Sequence, residues 1–253
     1  MKTTHDTGVL FGRSMRHILR SPDTIITVAL TPIAMMLMFV YVFGGAVKMS
    51  MAADVNYINY QLPGILLMAI ASGIAYTAFR LFTDIQKGFF SRFKSMPIGH
   101  SSVLWSHVLT SLVSNIITIV IIILVALLMG FRSSAGILNW LAASGILVLY
   151  TLALTWLAVI PGLTAKSMEG ASAFAYPLIF LPFLSSAFVP TETMPTVVRV
   201  FAENQPVTSI VEAVRNLLNG GTAGSELWIA LAWCVGITAA AYFFAMRVYK
   251  RIM

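Results

Sequence analysis

The sequence predicts an all-α integral membrane protein that forms a single domain over residues 1–253. Hydrophobic residues make up 58% of the chain and charged residues only 10%, whereas a soluble domain usually carries about 25% charged residues. Six apolar stretches reach the length of about 20 residues that a membrane-spanning helix needs. We therefore expect six transmembrane helices, an N-terminal amphipathic helix at the membrane interface, and an outer re-entrant helical hairpin between spans five and six.

The N-terminal segment, residues 1–22, is predicted to contain a helix on the cytoplasmic membrane surface. Within residues 8–20, one helical face is apolar and consists of Phe11, Met15, Ile18 and Leu19. The opposite face is basic and consists of Arg13, Arg16, His17 and Arg20. This pattern is typical of a helix that directs its cations towards lipid head groups. A solvated basic leader is the alternative interpretation.

The six apolar stretches are predicted to be the transmembrane helices. They cover residues 24–46, 60–82, 103–130, 137–163, 170–189 and 227–246. Four prolines lie within or near these stretches, namely Pro32, Pro161, Pro177 and Pro182. Since neighbouring helices can satisfy the carbonyl groups that a proline frees, we expect kinks rather than breaks.

The distribution of Lys and Arg predicts the orientation of the chain. With the N-terminus inside, 12 of the 16 Lys and Arg residues lie on the inner side and four on the outer side. This bias predicts a multi-pass protein of the inner (plasma) membrane with both termini in the cytoplasm. It also places residues 84–102 in a cytoplasmic loop between the second and third spans.

The longest connection, residues 190–226, falls on the outer side and is predicted to form two short amphipathic helices. Met194-Pro195 begins the first helix, and Asn204-Gln205-Pro206 forms the turn between the two. The second helix has an apolar face that consists of Ile210, Val211, Val214, Leu217 and Leu218. On its other side Glu212 and Arg215 form an i,i+3 pair. Neither helix can span a bilayer, so the pair either re-enters the outer leaflet or forms a small extracellular cap.

The sequence offers no candidate catalytic residue, cofactor site or metal site. No Asp or Glu lies in the middle of a predicted span, whereas transporters driven by ion gradients usually need a buried carboxylate. The chain has no P-loop and no Cys/His cluster with metal-ligand spacing. We interpret His100 and His107 as hydrogen-bonding residues near the start of the third span. Because the net charge of +7 is best explained by membrane orientation, we expect no nucleic acid partner.

Small and weakly polar side chains occur on three of the predicted spans. Six residues are candidates for lining a substrate path, namely Ser72, Tyr76, Ser111, Asn115, Ser185 and Phe188. In membranes such residues usually mark close packing between helices. A lining for an amphiphilic solute is the alternative, and the sequence alone leaves both open.

Residues 84–97 are the most charged short stretch between two apolar runs. If they form a helix, one face is apolar and consists of Ile85, Phe89, Phe93 and Met96. The opposite face carries Lys87, Ser91 and Lys94, and Pro97 ends the element. Such a helix either lies on anionic lipid or docks its aromatic face into a groove on a cytoplasmic partner.

Three stretches of the chain resemble ABC-2 type permeases, and more narrowly the membrane subunits of the daunorubicin-resistance exporter group. The first is Asp84-x-x-Lys87-Gly88-x-x-x-Arg92-Phe93-Lys94-Ser95-Met96-Pro97, which is similar to the first cytoplasmic loop of that family. The second is Leu62-Pro63-Gly64-Ile65-Leu66 at the entry of the second span. The third extends from Ser186 to Gly220. The chain departs from the family at Ser91, where relatives often carry an acidic residue.

The resemblance implies a permease subunit without catalytic residues that exports a hydrophobic or amphiphilic compound. It implies two kinds of partner besides membrane lipids: a second permease copy, in a homodimer or heterodimer, and a cytoplasmic ATPase subunit that binds ATP and Mg. The ATPase-coupling residues would be Asp84, Ile85, Lys87, Gly88, Phe89, Arg92, Phe93, Met96 and Pro97. The N-terminal interface helix, with Arg13, Arg16 and Arg20, would contribute a further ATPase contact.

Two alternative functions are compatible with the same residues. Export of a lipid-linked glycan would use the same architecture with a different cargo. A channel or membrane scaffold without an ATPase would purify alone and show no activity linked to nucleotides.

Overall fold

The computed structural model describes residues 7, 8, 10–12, 14–16, 22–45, 56–88, 100–222 and 224–252. Within these residues the regular secondary structure is helical throughout, which confirms the all-α prediction. The α-helices from residue 22 onwards are α1 Pro22–Leu37, α2 Tyr57–Gln86, α3 His100–Leu128, α4 Ile137–Thr164, α5 Met168–Ala173, α6 Ala175–Phe180, α7 Thr196–Asn204, α8 Pro206–Leu218 and α9 Ser225–Ile252. A π-helix, Met38–Phe43, extends α1, and 3-10 turns cover Leu181–Leu184 and Thr191–Thr193.

Five helical segments of the described chain are long and apolar enough to cross a membrane. They are Ile26–Phe43, Tyr57–Gln86, Ser102–Leu128, Ile137–Thr164 and Ser225–Arg251. These segments correspond to the first, second, third, fourth and sixth predicted spans. The chain is therefore a multi-pass membrane protein.

The fifth predicted span, residues 170–189, does not form one long helix. The structure divides Met168–Leu184 into α5, α6 and a 3-10 turn. Pro177 lies in the first turn of α6, and Pro182 lies in the 3-10 turn. A proline lacks the backbone N–H and its ring clashes with the preceding turn. Two prolines five residues apart therefore favour short helices over one continuous span.

The other two prolines do not break their helices, as predicted, while the kinks stay a prediction. Pro32 lies inside α1 and Pro161 lies inside α4, and both helices continue past them. Kinks without breaks are tolerated in bundles because neighbouring groups satisfy the freed carbonyls.

Helix α2 is the central helix of the bundle. It is buried along most of its length and packs against α1, α3, α4, α6 and α8. Three glycines allow these close approaches. A Cβ atom at Gly64 would lie 2.5 Å from the Ala187 Cβ, and one at Gly73 would overlap the Asn115 side chain. On α4, a Cβ atom at Gly162 would lie 2.9 Å from the Leu81 Cδ2 of α2.

The link between residues 190 and 226 contains the predicted helical hairpin. Helix α7 follows Pro195, and α8 begins at Pro206, which occupies a first-turn position where its missing N–H is not needed. The predicted apolar face of α8 is buried against the bundle, as shown for Ile210, Val214 and Leu217. The outer location and membrane re-entry of this hairpin stay predictions.

The N-terminal segment is helical at residues 7, 8, 10–12 and 14–16. Arg16 is exposed, while Arg13 and Arg20 lie outside the described residues. The position of this segment at a membrane interface stays a prediction.

Candidate functional site

The first candidate site is the predicted coupling segment, whose beginning is described as far as Gly88. Asp84 and Ile85 belong to the last turn of α2, and Lys87 and Gly88 form the turn that follows. Gly88 has a φ of +68°, a backbone conformation that favours glycine. Phe89, Arg92, Phe93, Met96 and Pro97 lie outside the described residues, so their arrangement on one face stays a prediction.

Ile85 is already engaged within the bundle. Its side chain is partly buried and packs against a cluster that contains Leu81, Leu104 and Val108. Lys87, by contrast, is exposed. Ile85 therefore contributes less surface to the predicted docking face, because it already packs against α2 and α3 of its own chain.

A polar contact joins the two helices that flank the segment. The Nε2 of His107 in α3 lies 3.3 Å from the Oδ2 of Asp84 in α2. The His107 side chain is 9% exposed and that of Asp84 is 36% exposed. His107 was expected to form hydrogen bonds near the start of the third span, but the sequence did not indicate Asp84 as its partner. The contact links the last turns of α2 to α3 beside the loop.

The predicted path residues fall into different regions of the molecule. Ser111 contacts Thr77 across the α2–α3 contact, with 2.5 Å between the hydroxyl oxygens. Ser72 donates to the Met68 carbonyl of its own helix at 3.0 Å. Ser111 therefore joins α3 to α2, whereas Ser72 bonds within its own helix. Both roles are usual for small polar residues in membrane helices.

Ser185 and Phe188 lie near the first residues of α2. The Ser185 hydroxyl is buried and donates to the Pro182 carbonyl at 2.6 Å. The Phe188 ring stacks on Phe39 of the π-helix with 4.7 Å between centroids. The hydroxyl of Tyr57 donates to the Phe188 carbonyl at 3.3 Å. The two contacts of Phe188 hold the segment after α6 against the π-helix that extends α1 and against the start of α2.

The remaining two path residues, Tyr76 and Asn115, line one crevice between α1, α2 and α3. The crevice is small and open on one side. Its walls are Val28, Gly73, Tyr76, Arg80, Ser114, Asn115 and Thr118. Sequence reasoning used Arg80 only to orient the chain. One sequence signal could have identified Arg80 as a candidate: it is the single cation within the otherwise apolar stretch 60–82. Ionisable residues in spans are functional candidates by default.

The opposite part of α2 is held by Arg215 of α8. Its Nε donates to the Tyr60 carbonyl at 3.0 Å, and its Nη2 donates to the Ser186 carbonyl at 2.6 Å. Burial lowers the pKa of this guanidinium, and Glu212 opposes that shift. The predicted i,i+3 relation of Glu212 and Arg215 persists as an electrostatic interaction, while the hydrogen bonds of Arg215 go to backbone carbonyls. Arg215 turns inwards, where its guanidinium donates to the backbone carbonyls of Tyr60, Ser186 and Ala187.

Charged side chains elsewhere form few contacts with one another. Close contacts between ionisable side chains in the described part of the chain include Asp84–His107, at 3.3 Å, and the exposed Arg199–Glu203 pair, at 2.8 Å. In the same part of the chain, no three His, Cys, Asp or Glu side chains come together as a candidate metal site.

Comparison with known proteins identifies the family. A model described as "ABC-2 type transporter" matches residues 5–219. The chain belongs to the ABC-2 type transporter family. It is 31% identical over 242 residues to the "Daunorubicin resistance ABC transporter permease protein DrrB1" of Streptomyces coeruleorubidus, covering 94% of this chain and 83% of the relative.

A second ABC-2 relative is more distant. The "Probable doxorubicin resistance ABC transporter permease protein DrrC" of Mycobacterium tuberculosis is 25% identical over 179 residues, which cover 70% of this chain and 64% of the relative. The chain is thus an ABC-2 permease homologous to permeases named for drug resistance. The family consists of transport permease subunits, so the chain is assigned a transport role rather than a catalytic one.

Proposed function

We propose that this chain is the permease subunit of an ATP-binding cassette exporter that moves a hydrophobic or amphiphilic compound out of the cytoplasm or the inner leaflet. A separate cytoplasmic subunit binds ATP and Mg and supplies the energy. A second permease copy completes the membrane part of the complex. The proposal is supported by the family match and by the drug-resistance names of two relatives.

The position of α2 carries the mechanistic part of the proposal. With 30 residues, α2 is about 45 Å long, and it is held at both ends. Arg215 of the hairpin bonds the Tyr60 carbonyl near its start, and Asp84 near its end pairs with His107. A close-packed bundle has low compressibility and transmits strain. Displacement of the loop at 84–97 by an ATPase would therefore be transmitted to the hairpin.

The proposed coupling residues are those of the loop. Lys87 is exposed and available to a cytoplasmic partner, and Gly88 sets the direction in which the chain leaves α2. Phe89 and Phe93 are proposed to occupy a groove on the ATPase, as aromatic anchors of short helices do. The N-terminal helix with Arg16 adds a second contact on the same side. Both termini are proposed to lie in the cytoplasm of a bacterial cell.

Co-expression with a separately encoded ATP-binding cassette ATPase tests the proposal. We expect the two subunits to purify together, and vesicles that contain both to move daunorubicin only when ATP is present. The matched control replaces the P-loop Lys of the ATPase by Ala, which should preserve assembly and abolish movement. Movement without ATP, or purification of the permease free of any ATPase, would contradict the proposal.

A further inference from the structure

The exposed side of α9 is apolar over most of its length and basic at its end. Between Trp228 and Arg247 the helix contains no charged residue. Arg247, Lys250 and Arg251 then follow closely, and all three are exposed. No acidic residue follows Glu226 in this helix. The three cations form a basic patch that lies directly beside an apolar surface.

The basic patch and the apolar residues before it share one face of the helix. Phe243, Arg247 and Arg251 follow one another at i,i+4 spacing, which places them above one another. The Arg247 guanidinium carbon lies 5.2 Å from the centroid of the Phe243 ring, within cation–π range. Ala245 and Tyr249, by contrast, are buried in a cluster inside the bundle. The face that carries Arg247 is therefore turned away from the rest of the chain.

The length of the uncharged part of α9 matches the hydrocarbon thickness of a bilayer. A helix is about 28 Å long from Trp228 to Arg247, and the hydrocarbon core of a bilayer is about 30 Å thick. Trp228 is 69% exposed, and exposed tryptophans are typical of the boundary between membrane and water. With Trp228 at one boundary, Arg247 reaches the other. The basic patch is therefore placed at the depth of lipid head groups.

Stabilisation of the helix end does not account for the whole basic patch. Cations complement the negative end of a helix dipole, but this effect fades within the last turn. Lys250 and Arg251 belong to the last turn of α9, whereas Arg247 lies one turn earlier and contacts Phe243. A long basic side chain at such a position keeps its stem among apolar groups and extends its charge to the polar boundary.

The apolar surface that leads to the basic patch contains a shallow notch. Gly236 and Ala240 are exposed, and a Cβ atom added at Gly236 would meet nothing within 4 Å. The larger exposed side chains of Trp233 and Phe244 lie before and after this notch. Gly236 lies about 16 Å from Arg247 along the helix, which is close to one leaflet, or half of a hydrocarbon core of about 30 Å. An acyl chain in the notch would therefore have its head group beside the basic patch.

We infer that the basic patch of α9 binds the phosphate head group of an anionic phospholipid, with one acyl chain along the notch at Gly236 and Ala240. Clustered cations beside a spanning helix attract anionic lipids. A zwitterionic lipid gains less, because its own cation is repelled by the patch. This lipid is a bound component of the membrane rather than the exported compound, so the inference is independent of the proposed function.

Native mass spectrometry of the full chain in a nonionic detergent tests the binding. Dioleoyl phosphatidylglycerol is anionic, and dioleoyl phosphatidylcholine has the same acyl chains without a net charge. We expect phosphatidylglycerol to bind in preference, and this preference to decline with added ammonium acetate, because salt screens exposed charges. Arg247→Gln should weaken its binding about fivefold, the usual effect of one cation near a lipid surface. Arg247→Lys should retain most of it, and replacing all three cations by Gln should abolish the preference.

Two matched controls separate a site from a general effect of charge or bulk. Lys166→Gln removes an exposed cation in the turn after α4 and should leave the preference for phosphatidylglycerol unchanged. Gly236→Leu fills the notch and should weaken phosphatidylglycerol binding severalfold. Gly145→Leu adds the same side chain in open space on α4 and should not weaken it.

The opposite results would overturn the inference. They are equal binding of the two lipids by the wild type, equal losses in Arg247→Gln and Lys166→Gln, and equal losses in Gly236→Leu and Gly145→Leu. Melting temperatures identify any variant that fails to fold. If the triple variant fails, Arg247→Gln and Arg247→Lys decide, because the Arg247 side chain is exposed and its replacement leaves the packed face intact.

A protein partner on the same face would give different results. If Gly236→Leu changed the mass of the permease oligomer and left lipid binding intact, the face would be an interface between copies, and the inference would fail. If replacing the three cations abolished co-purification with the ATPase and left the lipid preference intact, the patch would bind an acidic surface of that subunit, and the inference would again fail. Loss of the lipid preference with assembly retained would support the lipid site.

Discussion

The guanidinium carbon of Arg215 lies 3.8 Å from the centroid of the Tyr60 ring. The same guanidinium donates to the backbone carbonyls of Tyr60 and Ser186. One side chain of α8 therefore contacts the first turn of α2 and the segment after α6 at once. This contact attaches the hairpin to the central helix.

Arg215→Lys should destabilise the fold. A lysine keeps the charge but loses the planar fork that bonds two carbonyls and stacks on Tyr60. We expect a loss of about 2–3 kcal/mol and a melting temperature lower by several degrees in detergent. The matched control is Arg199→Lys, whose side chain is exposed and bonds Glu203 alone, and it should melt like wild type. Equal melting of both variants would show that the Arg215 contacts contribute little.

Gly73→Ala should push α2 and α3 apart. The added Cβ would overlap the Asn115 side chain, and overpacking of this kind costs about 1–3 kcal/mol. The double variant Gly73→Ala/Asn115→Ala should recover part of the loss because the obstructing amide is gone. Thermal unfolding of the three variants measures this coupling.

Gly145→Ala is the control for that experiment. Gly145 lies within α4 and has nothing within 4 Å of its added Cβ. Alanine is a better helix former than glycine, so this variant should be as stable as wild type or slightly more stable. A loss at Gly145 equal to that at Gly73 would mean that the effect is not a clash with Asn115.

The Asp84–His107 pair should show a modest energetic coupling. Since Asp84 is about one third exposed, solvent screens the pair, and we expect about 0.5–1 kcal/mol. A double-mutant cycle with Asp84→Ala, His107→Ala and both together isolates this value, because other contacts of either residue cancel. Additive losses would show that the two side chains do not stabilise each other.

Gly88→Glu should uncouple ATP hydrolysis from transport. Glutamate at a φ of +68° is strained, so the chain would leave α2 in another direction and misplace the loop. We expect ATPase activity in the complex to persist while transport falls about tenfold, the effect of about 1.4 kcal/mol. Gly136→Glu, at the start of α4 and with open space around it, is the control. Full transport by Gly88→Glu would remove the loop from the proposed mechanism.

Long apolar helices were predictable from composition alone. The second and fourth spans agree with α2 and α4 because length and hydropathy suffice to specify them. The stretch 170–189 has similar hydropathy but ends as short helices. Hydropathy does not record that Pro177 and Pro182 each lack a backbone N–H. A prediction from hydropathy therefore overestimates the length of the helix in this stretch.

The direction of long polar side chains was not predictable. Arg80 and Arg215 were both counted as markers of orientation, yet one lines a crevice and the other bonds carbonyls of two other segments. Those carbonyls come from residues 29 and 155 positions away along the chain. The periodicity of a helix or a strand does not relate positions so far apart in the sequence. The helical hairpin, by contrast, was predicted because Pro195 and Pro206 mark helix starts locally.

The π-helix at Met38–Phe43 has a consequence for changes in chain length. Its wider turn accommodates one more residue than an α-helical turn would. Just before the π-helix, the Met36 carbonyl accepts a hydrogen bond from the Gln61 Nε2 of α2 at 3.4 Å. Removing a single residue here would let the chain close as an ordinary α-helix, with the preceding part of α1 keeping its register against α2. Elsewhere in α1 the same deletion would rotate every following side chain by about 100°. We therefore expect the end of α1 to be the part of this helix that tolerates a one-residue deletion.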